Sequence, residues 1–492
     1  MISRHAMNCL SILKQRAGES ITRPALVGVD SGGRVVRHTW RDLFAQVLVT
    51  IRRIDRQGFS VGDRVVHSFG NTCSGVIVAL ASLVKGTIEV PLDPKATLQE
   101  REALLRLVDG RLLEGEGEFD QPEECVDVSP SNAWVSELIT QESGLSPDHA
   151  ALILFTSGST GKPRGVLLSR GNLFSNAQGK LAAVPQTRED VRLTVLPLWH
   201  AYARTCDLMT WLITGGTLAI GQGWDGWETL ATEVTPTLIN TVPSLASRLR
   251  DEAFDTPATR SLRLLGCGGA AMTTELFDDY RQAGITVIQG YGLTEASPVV
   301  CSASPWNARA GVVGLPVMGC QSRINDAGCL EVAGTGVMIG YWQDDEATAS
   351  KICAGWLQTG DCAEVDPFDG QYRILGRSDD RITLSNGLKF FPGPIEQRLG
   401  LHPSIRHAIL LPHDRHVTLY LEVSDAVEFD SAISGQALLA DVERMLNAFP
   451  AWQRPREVHL LSRPISDIAG ALTAKGTLCR PIVLKALSNL RP

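Results

Sequence analysis

Residues 151–165 combine an apolar run with a glycine- and hydroxyl-rich loop. Residues 151–155 read Ala-Leu-Ile-Leu-Phe, and residues 156–165 read Thr-Ser-Gly-Ser-Thr-Gly-Lys-Pro-Arg-Gly. The apolar run predicts a strand of a parallel sheet covered on both faces, and the loop ends that strand abruptly. Glycines permit positive φ, hydroxyls add short donors, and Lys162 and Arg164 add positive charge, so the loop is suited to bind phosphate oxygens. The alternative is a solvated Gly/Ser turn.

This loop differs from the common phosphate-binding loop. That motif has two glycines five residues apart, then Lys and Ser or Thr, and it opens onto a helix. Here Pro163 follows the lysine, and residues 166–168, Val-Leu-Leu, look like a second strand. The sequence therefore predicts a strand–loop–strand unit, with the helix delayed until about Asn172.

The loop resembles the signature of the adenylate-forming superfamily, which includes acyl-CoA synthetases, adenylation domains and luciferases. The usual signature is Thr-Ser-Gly-Thr-Thr-Gly-x-Pro-Lys-Gly, and the two departures here, Ser159 and Arg164, keep the hydroxyl and the charge. The resemblance implies that the loop binds the phosphates of ATP and that Thr156 also contacts Mg²⁺. The loop residues assigned to the nucleotide are Thr156, Ser157, Gly158, Ser159, Thr160, Gly161 and Lys162.

Composition limits the classes of function. The chain has 492 residues, of which 44% are hydrophobic and 20% charged, and a net charge of −8. These values predict a globular protein of two or three domains and give no basic surface for a nucleic-acid partner. The 11 cysteines are scattered singly, so we expect no disulfide framework or zinc site, and a cytoplasmic location. We expect no signal peptide or transmembrane segment, because the longest apolar stretch, residues 75–84, is too short and reads as a buried helix.

The order of the predicted elements indicates the fold class and the domains. Strands alternate with helices in the first half of the chain, which predicts an α/β fold of doubly wound sheets. Residues 311–342 are strand-rich and punctuated by glycines, which is typical of a small β-barrel. With the resemblance, we expect an N-terminal AMP-binding domain over residues 1–376, a hinge over 377–380 and a mobile C-terminal α+β lid over 381–492.

His200 ends a strand-like run in the sequence Pro-Leu-Trp-His. A lone histidine is more often structural, but the resemblance places this one near the bound carboxylate and the departing pyrophosphate. The continuation through Tyr202 and Arg204 looks most like long-chain acyl-CoA synthetases. An amino-acid substrate would need a carboxylate to pair with its ammonium group. The nearest acid is Asp207, which could equally be solvated or cap a helix.

A strand followed by a glycine turn is predicted at residues 262–271, and Thr273 is expected to cap the next helix. Glycine lets a flat base approach the backbone, and the superfamily places adenine against this turn. Gly269 and Ala270 are therefore assigned to the nucleotide.

A second glycine turn at residues 286–295 carries an aromatic ring, a hydroxyl and an acid. Tyr291 can stack on adenine, Thr294 can bond the α-phosphate, and Glu295 can hold Mg²⁺. An alternative is a tyrosine packed at a strand end. The nucleotide-binding residues expected here are Gly290, Tyr291, Gly292 and Thr294.

Further signatures lie toward the C-terminus. Asp361, in a Thr-Gly-Asp turn, offers two acceptor oxygens to a ribose diol. The resemblance makes Arg377 a ribose or phosphate contact and Asp379 the hinge residue. It also places Gly387 where the pantetheine arm of coenzyme A enters, because a missing side chain lets a thin chain pass.

Lys475 is expected to be the mobile catalytic lysine that bridges the attacking carboxylate and the α-phosphate. Many relatives read Gly-Lys-x-x-Arg, whereas residues 475–480 read Lys-Gly-Thr-Leu-Cys-Arg. The alternative is a solvated lysine near the chain end.

The resemblance implies an acid–thiol ligase of fatty-acid and lipid metabolism that uses ATP, Mg²⁺ and coenzyme A. A carboxylic acid, expected to be a fatty acid, attacks the α-phosphorus of ATP and gives acyl-AMP and pyrophosphate. The thiol of coenzyme A then displaces AMP. The catalytic residues would be Thr156, His200, Glu295 and Lys475. Two alternatives stay open: an acyl-AMP ligase that loads the phosphopantetheine of an acyl or peptidyl carrier protein, and a non-catalytic acyl-adenylate or nucleotide binder. The presence of Lys475, Glu295 and Asp361 together speaks against the second.

Overall fold

The computed structural model describes residues 8–19, 22–113, 132–157, 163–423, 432–461, 463–471, 478 and 480–488. Six predicted site residues and the side chain of Ser157 lie outside this part of the chain. The six residues are Gly158, Ser159, Thr160, Gly161, Lys162 and Lys475.

Helices and strands alternate along most of the described chain. The α-helices are α1 (Cys9–Glu19), α2 (Trp40–Arg56), α3 (Cys73–Lys85), α4 (Leu98–Val108), α5 (Ala133–Gly144), α6 (Arg170–Ala183), α7 (Ala201–Ala203), α8 (Thr210–Thr214), α9 (Gly223–Val234), α10 (Pro243–Ala253), α11 (Pro257–Arg260), α12 (Thr274–Gln282), α13 (Asp345–Lys351), α14 (Gly393–Leu399), α15 (Ala432–Leu446) and α16 (Arg480–Ser488). The strands are β1 (Pro24–Val29), β2 (Val35–Thr39), β3 (Arg64–His67), β4 (Ile88–Pro91), β5 (Arg111–Leu112), β6 (Ala150–Ser157), β7 (Pro163–Ser169), β8 (Val191–Thr194), β9 (Thr217–Ile220), β10 (Leu238–Thr241), β11 (Leu264–Cys267), β12 (Thr286–Gly292), β13 (Val299–Ser302), β14 (Leu315–Pro316), β15 (Cys320–Ile324), β16 (Cys329–Gly334), β17 (Gly340–Tyr341), β18 (Ile352–Cys353), β19 (Trp356–Val365), β20 (Tyr372–Arg377), β21 (Ile382–Thr383), β22 (Lys389–Phe390), β23 (Ile405–His413), β24 (His416–Val423) and β25 (Glu457–Leu460).

Two large sheets form the N-terminal part. The first has nine strands in the order β14-β13-β12-β11-β10-β8-β9-β1-β2, and its middle strands from β12 to β1 run parallel. Successive residues on these strands enter different cores: Leu26 packs into the core shared with α2 and α3, and Val27 into the core formed with α9, α10 and α12. Because side chains alternate across a strand, the sheet is covered on both faces. This confirms the predicted α/β fold with a large N-terminal domain.

The second large sheet contains the apolar run of residues 151–155 and has six strands in the order β17-β7-β6-β4-β3-β5. Strand β6 pairs with β4 in parallel and with β7 antiparallel, and Thr156 lies opposite Arg164 in that second pairing. Helix α6 starts at Arg170, where the side chain of Ser169 accepts a hydrogen bond from Asn172. Both strands of the predicted strand–loop–strand unit are therefore confirmed, and they lie in a mixed rather than wholly parallel sheet.

The remaining sheets are antiparallel or small. Strands β15, β16, β19 and β18 form an antiparallel sheet with β20 beside β19, so the strand-rich part predicted at residues 311–342 continues to Arg377. The smaller C-terminal domain contains the pair β21-β22 and the sheet β23-β24-β25, with α14 and α15 packed on its core. In the described part of the chain, no helix combines the length and the apolar character needed to cross a bilayer.

Candidate active site

Sheet pairing brings three of the predicted nucleotide residues together. Asp361 on β19 lies in register with Arg377 on β20, and Arg377 Nη1 is 3.3 Å from Asp361 Oδ1. The hydroxyl of Tyr291, at the end of β12, donates a hydrogen bond to Asp361 Oδ2. Burial raises the pKa of Tyr291, and the negative charge of Asp361 raises it further, so the phenol stays a donor. A carboxylate has about four acceptor positions, so Asp361 retains capacity for a ribose diol.

Gly292 is required by the space around the end of β12. A Cβ atom at this position would lie 2.1 Å from the carbonyl oxygen of Pro298. The next segment of chain therefore folds back directly onto Gly292, and this close backbone contact leaves no room for a side chain there.

Glu295 is connected to the strand pair that carries Thr156. The hydroxyl of Tyr341 donates to Glu295 Oε1 at 2.8 Å, and Tyr341 lies on β17, paired with Val166 of β7. The guanidinium of Arg164, opposite Thr156, lies 5.5 Å from the centre of the Tyr341 ring. Among the described residues, Glu295 Oε2 makes no hydrogen bond, so one carboxylate oxygen fits a hard cation such as Mg²⁺.

Tyr341 and Lys351 are site residues that the sequence analysis missed. Lys351 Nζ donates to the Thr359 carbonyl oxygen at 3.2 Å. Burial lowers the pKa of Lys351, while the nearby carboxylates of Glu295 and Asp361 oppose that shift. Lys351 thus adds positive charge that acts on both predicted ligand carboxylates. Its only sequence signal is a position eight residues before Thr359, outside every signature.

His200 lines both a small cavity and a larger cleft. The cavity has a volume of about 170 Å³, and Tyr202 also lines it. The cleft has a volume of about 970 Å³ and is lined by both domains, with Ala270 on one side and Arg398 on the other. The predicted site residues that line the cavity are His200, Gly269, Gly290, Tyr291, Gly292 and Thr294.

A buried ion cluster holds the loop that presents His200. Arg204 Nε donates to the Leu198 carbonyl oxygen at 3.1 Å, and Arg204 Nη2 is 2.7 Å from Glu89 Oε1. Glu89 also contacts His67 Nε2 at 3.0 Å. Burial alone would raise the pKa of Glu89, but the charge of Arg204 and the contact with His67 outweigh burial and lower it. The loop is therefore anchored to β3 and β4 of the other large sheet.

Asp207 is neither solvated nor a helix cap, which corrects both readings considered from the sequence. It is buried in a π-helical turn spanning Arg204–Met209. Its Oδ1 atom is 3.0 Å from Arg192 Nη1 and 2.6 Å from Asn240 Nδ2. Because Arg192 already matches its charge, Asp207 is a poor partner for a substrate ammonium group.

Asp379 and Gly387 lie apart from this group. Asp379 is exposed in the one-turn 3-10 helix Ser378–Asp380, and Gly387 has a φ of +82° in the turn between β21 and β22. No atom would lie within 4 Å of a Cβ at Gly387. In the described part of the chain, neither residue makes a hydrogen bond or ion pair to the nucleotide residues, so their roles stay predictions.

The residue after Asp379 connects the predicted hinge to the end of the chain. Arg480 Nε lies 3.4 Å from Asp380 Oδ1, and Arg480 also pairs with Glu396 on α14. Arg480 Nη1 donates to the Leu410 carbonyl oxygen at 3.1 Å. Glu396 therefore links α14 to Arg480 and, by accepting from the Leu410 amide, to β23.

An ion pair at the cleft connects the two domains. Arg398 Nη1 on α14 lies 2.6 Å from Glu275 Oε1 on α12, and both side chains are partly exposed. The N-cap of α12 is Thr273, whose side chain accepts from Leu276, as predicted.

The fold and this arrangement of carboxylates, aromatic ring and glycine turns define an adenylate-forming enzyme. The chain belongs to the AMP-binding enzyme family, whose model matches residues 13–342, and a model of the AMP-binding enzyme C-terminal domain matches residues 379–490. The protein is therefore an AMP-forming acid–thiol ligase, a class that uses ATP, Mg²⁺ and coenzyme A.

Individual relatives act on different acids. A feruloyl-CoA synthase of Amycolatopsis is 29% identical over 89% of this chain and 93% of its own length. The long-chain-fatty-acid–CoA ligase FadD15 of Mycobacterium bovis is 27% identical over 77% of this chain and 76% of its own. The structure of the anthranilate CoA ligase AuaEII with anthranoyl-AMP has a TM-score of 0.78 at 20% identity and covers 98% of each chain, which supports the fold.

Proposed function

We propose that the protein activates a compact carboxylic acid, the size of one ring with a short side chain, and transfers it to coenzyme A. The observation that carries this proposal is the cavity of about 170 Å³ beside His200. An engineered protein cavity of about 150 Å³ holds benzene, whereas sites for larger ligands measure about 300–1,000 Å³. The identity to a feruloyl-CoA synthase supports the same size class.

Each group of residues has a task in acyl-AMP formation. Tyr291 stacks on adenine, and Asp361, positioned by Arg377, accepts hydrogen bonds from the ribose hydroxyls. Glu295, oriented by Tyr341, would hold Mg²⁺, which supplies charge stabilisation at the phosphates when bound. His200 lies where the acyl cavity opens and contacts the carboxylate end of the acid. The site thereby holds carboxylate and α-phosphate in line, which is most of what this reaction requires.

Lys475, Asp379 and Gly387 would act through the mobile lid. Lys475 stabilises charge during acyl-AMP formation, and rotation about Asp379 then exchanges it for the surface at Gly387, where the thiol enters. The proposed domain boundaries, 1–376, 377–380 and 381–492, are supported by the junction between the two matched family models.

A screen of acid-dependent pyrophosphate release tests the proposal. Substituted benzoates and cinnamates would be compared with straight-chain acids of 4 to about 16 carbons, first without an acceptor. We expect turnover of ring-sized acids and a fall with longer chains, because the volume beside His200 is only about 170 Å³. Efficient activation of the longest acids would contradict the compact-substrate proposal, and absence of pyrophosphate release with every acid would contradict acid activation itself.

A fatty acid is the second candidate. The observations that favour it are the identity to FadD15 and the His200, Tyr202 and Arg204 pattern. It would place the protein in lipid metabolism, and the same screen separates the two candidates.

Thioester formation with coenzyme A and with a phosphopantetheinyl carrier protein, measured side by side, decides the acceptor. A cytoplasmic location is proposed because nine cysteines in the described residues are free thiols.

A further inference from the structure

A buried lysine lines the cavity proposed for the acyl group. Lys180, on α6, is only 8% exposed and forms part of the cavity wall with Cys206 and Val299. Its Nζ atom donates to Ser302 Oγ at 2.8 Å, and Ser302 Oγ donates to the Ala303 carbonyl oxygen at 2.8 Å. Among the described residues, Ser302 is the only hydrogen-bond partner of the Lys180 Nζ atom. An ammonium group has three donors, so two remain for a molecule in the cavity.

Lys180 and the side chains around it carry more positive than negative charge. Arg192 is matched by Asp207, as described above. The pKa of Cys206 is raised to about 11 and that of Tyr202 is raised, in both cases because of burial. Both groups are therefore neutral near pH 7. The nearby carboxylate that acts on Lys180 is that of Asp207, which is already paired with Arg192. Burial lowers the pKa of Lys180, and a bound anionic oxygen would oppose that shift.

We propose that Lys180 is a specificity-determining residue, which selects carboxylic acids carrying a second oxygen acceptor, foremost a second carboxylate, at the end remote from the activated group. This inference rests on the proposed function, since it assumes that the acyl group occupies this cavity. A buried donor left without a partner is costly, so an acid ending in a methyl group leaves Lys180 unsatisfied. An acid ending in an ammonium group meets a like charge.

Matched pairs of acids test the role of Lys180. The probes are terephthalate, 4-hydroxybenzoate and 4-methylbenzoate, with adipate and hexanoate as a flexible pair, in the pyrophosphate-release assay. For the wild-type protein we expect kcat/KM to be about 10- to 100-fold higher for the acceptor-bearing member of each pair. Lys180→Met, which keeps the length of the side chain, should lower kcat/KM for terephthalate by a similar factor and raise it for 4-methylbenzoate. Lys95→Met, at an exposed lysine, is the control.

Ser302→Ala gives a second test that keeps the ammonium group. It removes the oxygen that orients Lys180, so the preference should shrink without reversing. Thermal unfolding of each variant shows whether it is folded. Equal wild-type rates for both members of each pair, or equal loss on all acids in Lys180→Met, would overturn the inference while leaving the proposed function intact. No release by the wild-type protein with any acid would instead reject the proposed function.

Discussion

Replacing Tyr341 by phenylalanine tests whether Glu295 must be held in one orientation. The substitution deletes the hydroxyl that donates to Glu295 Oε1 at 2.8 Å and leaves the ring that packs against Arg164. Burial raises the pKa of Tyr341, and the charge of Glu295 adds to the shift. The phenol is therefore protonated at any working pH, so its loss is the loss of a donor.

The size of the effect follows from the kind of hydrogen bond. A hydrogen bond to a charged group contributes about 1.5–3 kcal/mol. If all of it serves to position the carboxylate for the transition state, kcat/KM for ATP falls by about 10- to 150-fold, at about 1.4 kcal/mol for each factor of ten. Acid binding should change little, because Tyr341 does not line the acyl cavity.

Initial rates of pyrophosphate release, measured over a grid of ATP and Mg²⁺ concentrations, give this quantity. Tyr372→Phe is the matched control, since that buried phenol bonds to Ser322 on the antiparallel sheet, at 2.8 Å. We expect the loss in Tyr341→Phe alone, with part of it recovered at high Mg²⁺. Wild-type kcat/KM in Tyr341→Phe, or the same loss in both variants, would refute the positioning role.

Three further predictions concern the lid, the anchored loop and the cleft. Lys475→Ala should slow acyl-AMP formation by about 10²-fold while thioester formation from supplied acyl-AMP persists; equal loss in both steps would reject the assigned role. Glu89→Gln should lower the free energy of unfolding by about 3–5 kcal/mol in urea titrations, because Arg204 stays buried without its partner. The pKa of Glu89 is lowered in the folded protein, so its contribution to the free energy of unfolding is present above its unfolded pKa of about 4.3 and is lost as the pH falls through the folded pKa. In Glu89→Gln the free energy of unfolding should therefore fall less steeply with pH below about 4.3 than in the wild-type protein. The same steepness in both proteins would contradict this. Glu275→Gln should change the ratio of the two half-reaction rates by no more than about fivefold, and less at high salt, as for a partly exposed pair; a salt-independent change would point to another cause.

Local sequence signals predicted the elements that carry the site. The apolar run before Thr156 and the glycines after it predicted β6 and its end, and the apolar residues 166–168 predicted β7. Asp361 and Tyr291 were found from short signatures, and the sheets bring them into contact.

Contacts between distant segments could not be read from the sequence. Tyr341 reaches Glu295 because β17 adds to the edge of the sheet at β7, and no local pattern encodes that pairing. Asp207 is an acid in an apolar context, and only the position of Arg192, 15 residues earlier, shows that its charge is matched. Lys180 could not be identified either, because its position in the sequence of α6 does not show that its side chain lines a cavity.

Arg480 has a consequence for how the small domain can be altered. Its guanidinium contacts Asp380 in the predicted hinge, Glu396 on α14 and the carbonyl oxygen of Leu410 on β23. Removing α16 would therefore release the proposed hinge from the small domain, and we expect the two half-reactions to lose their coordination before either loses its chemistry.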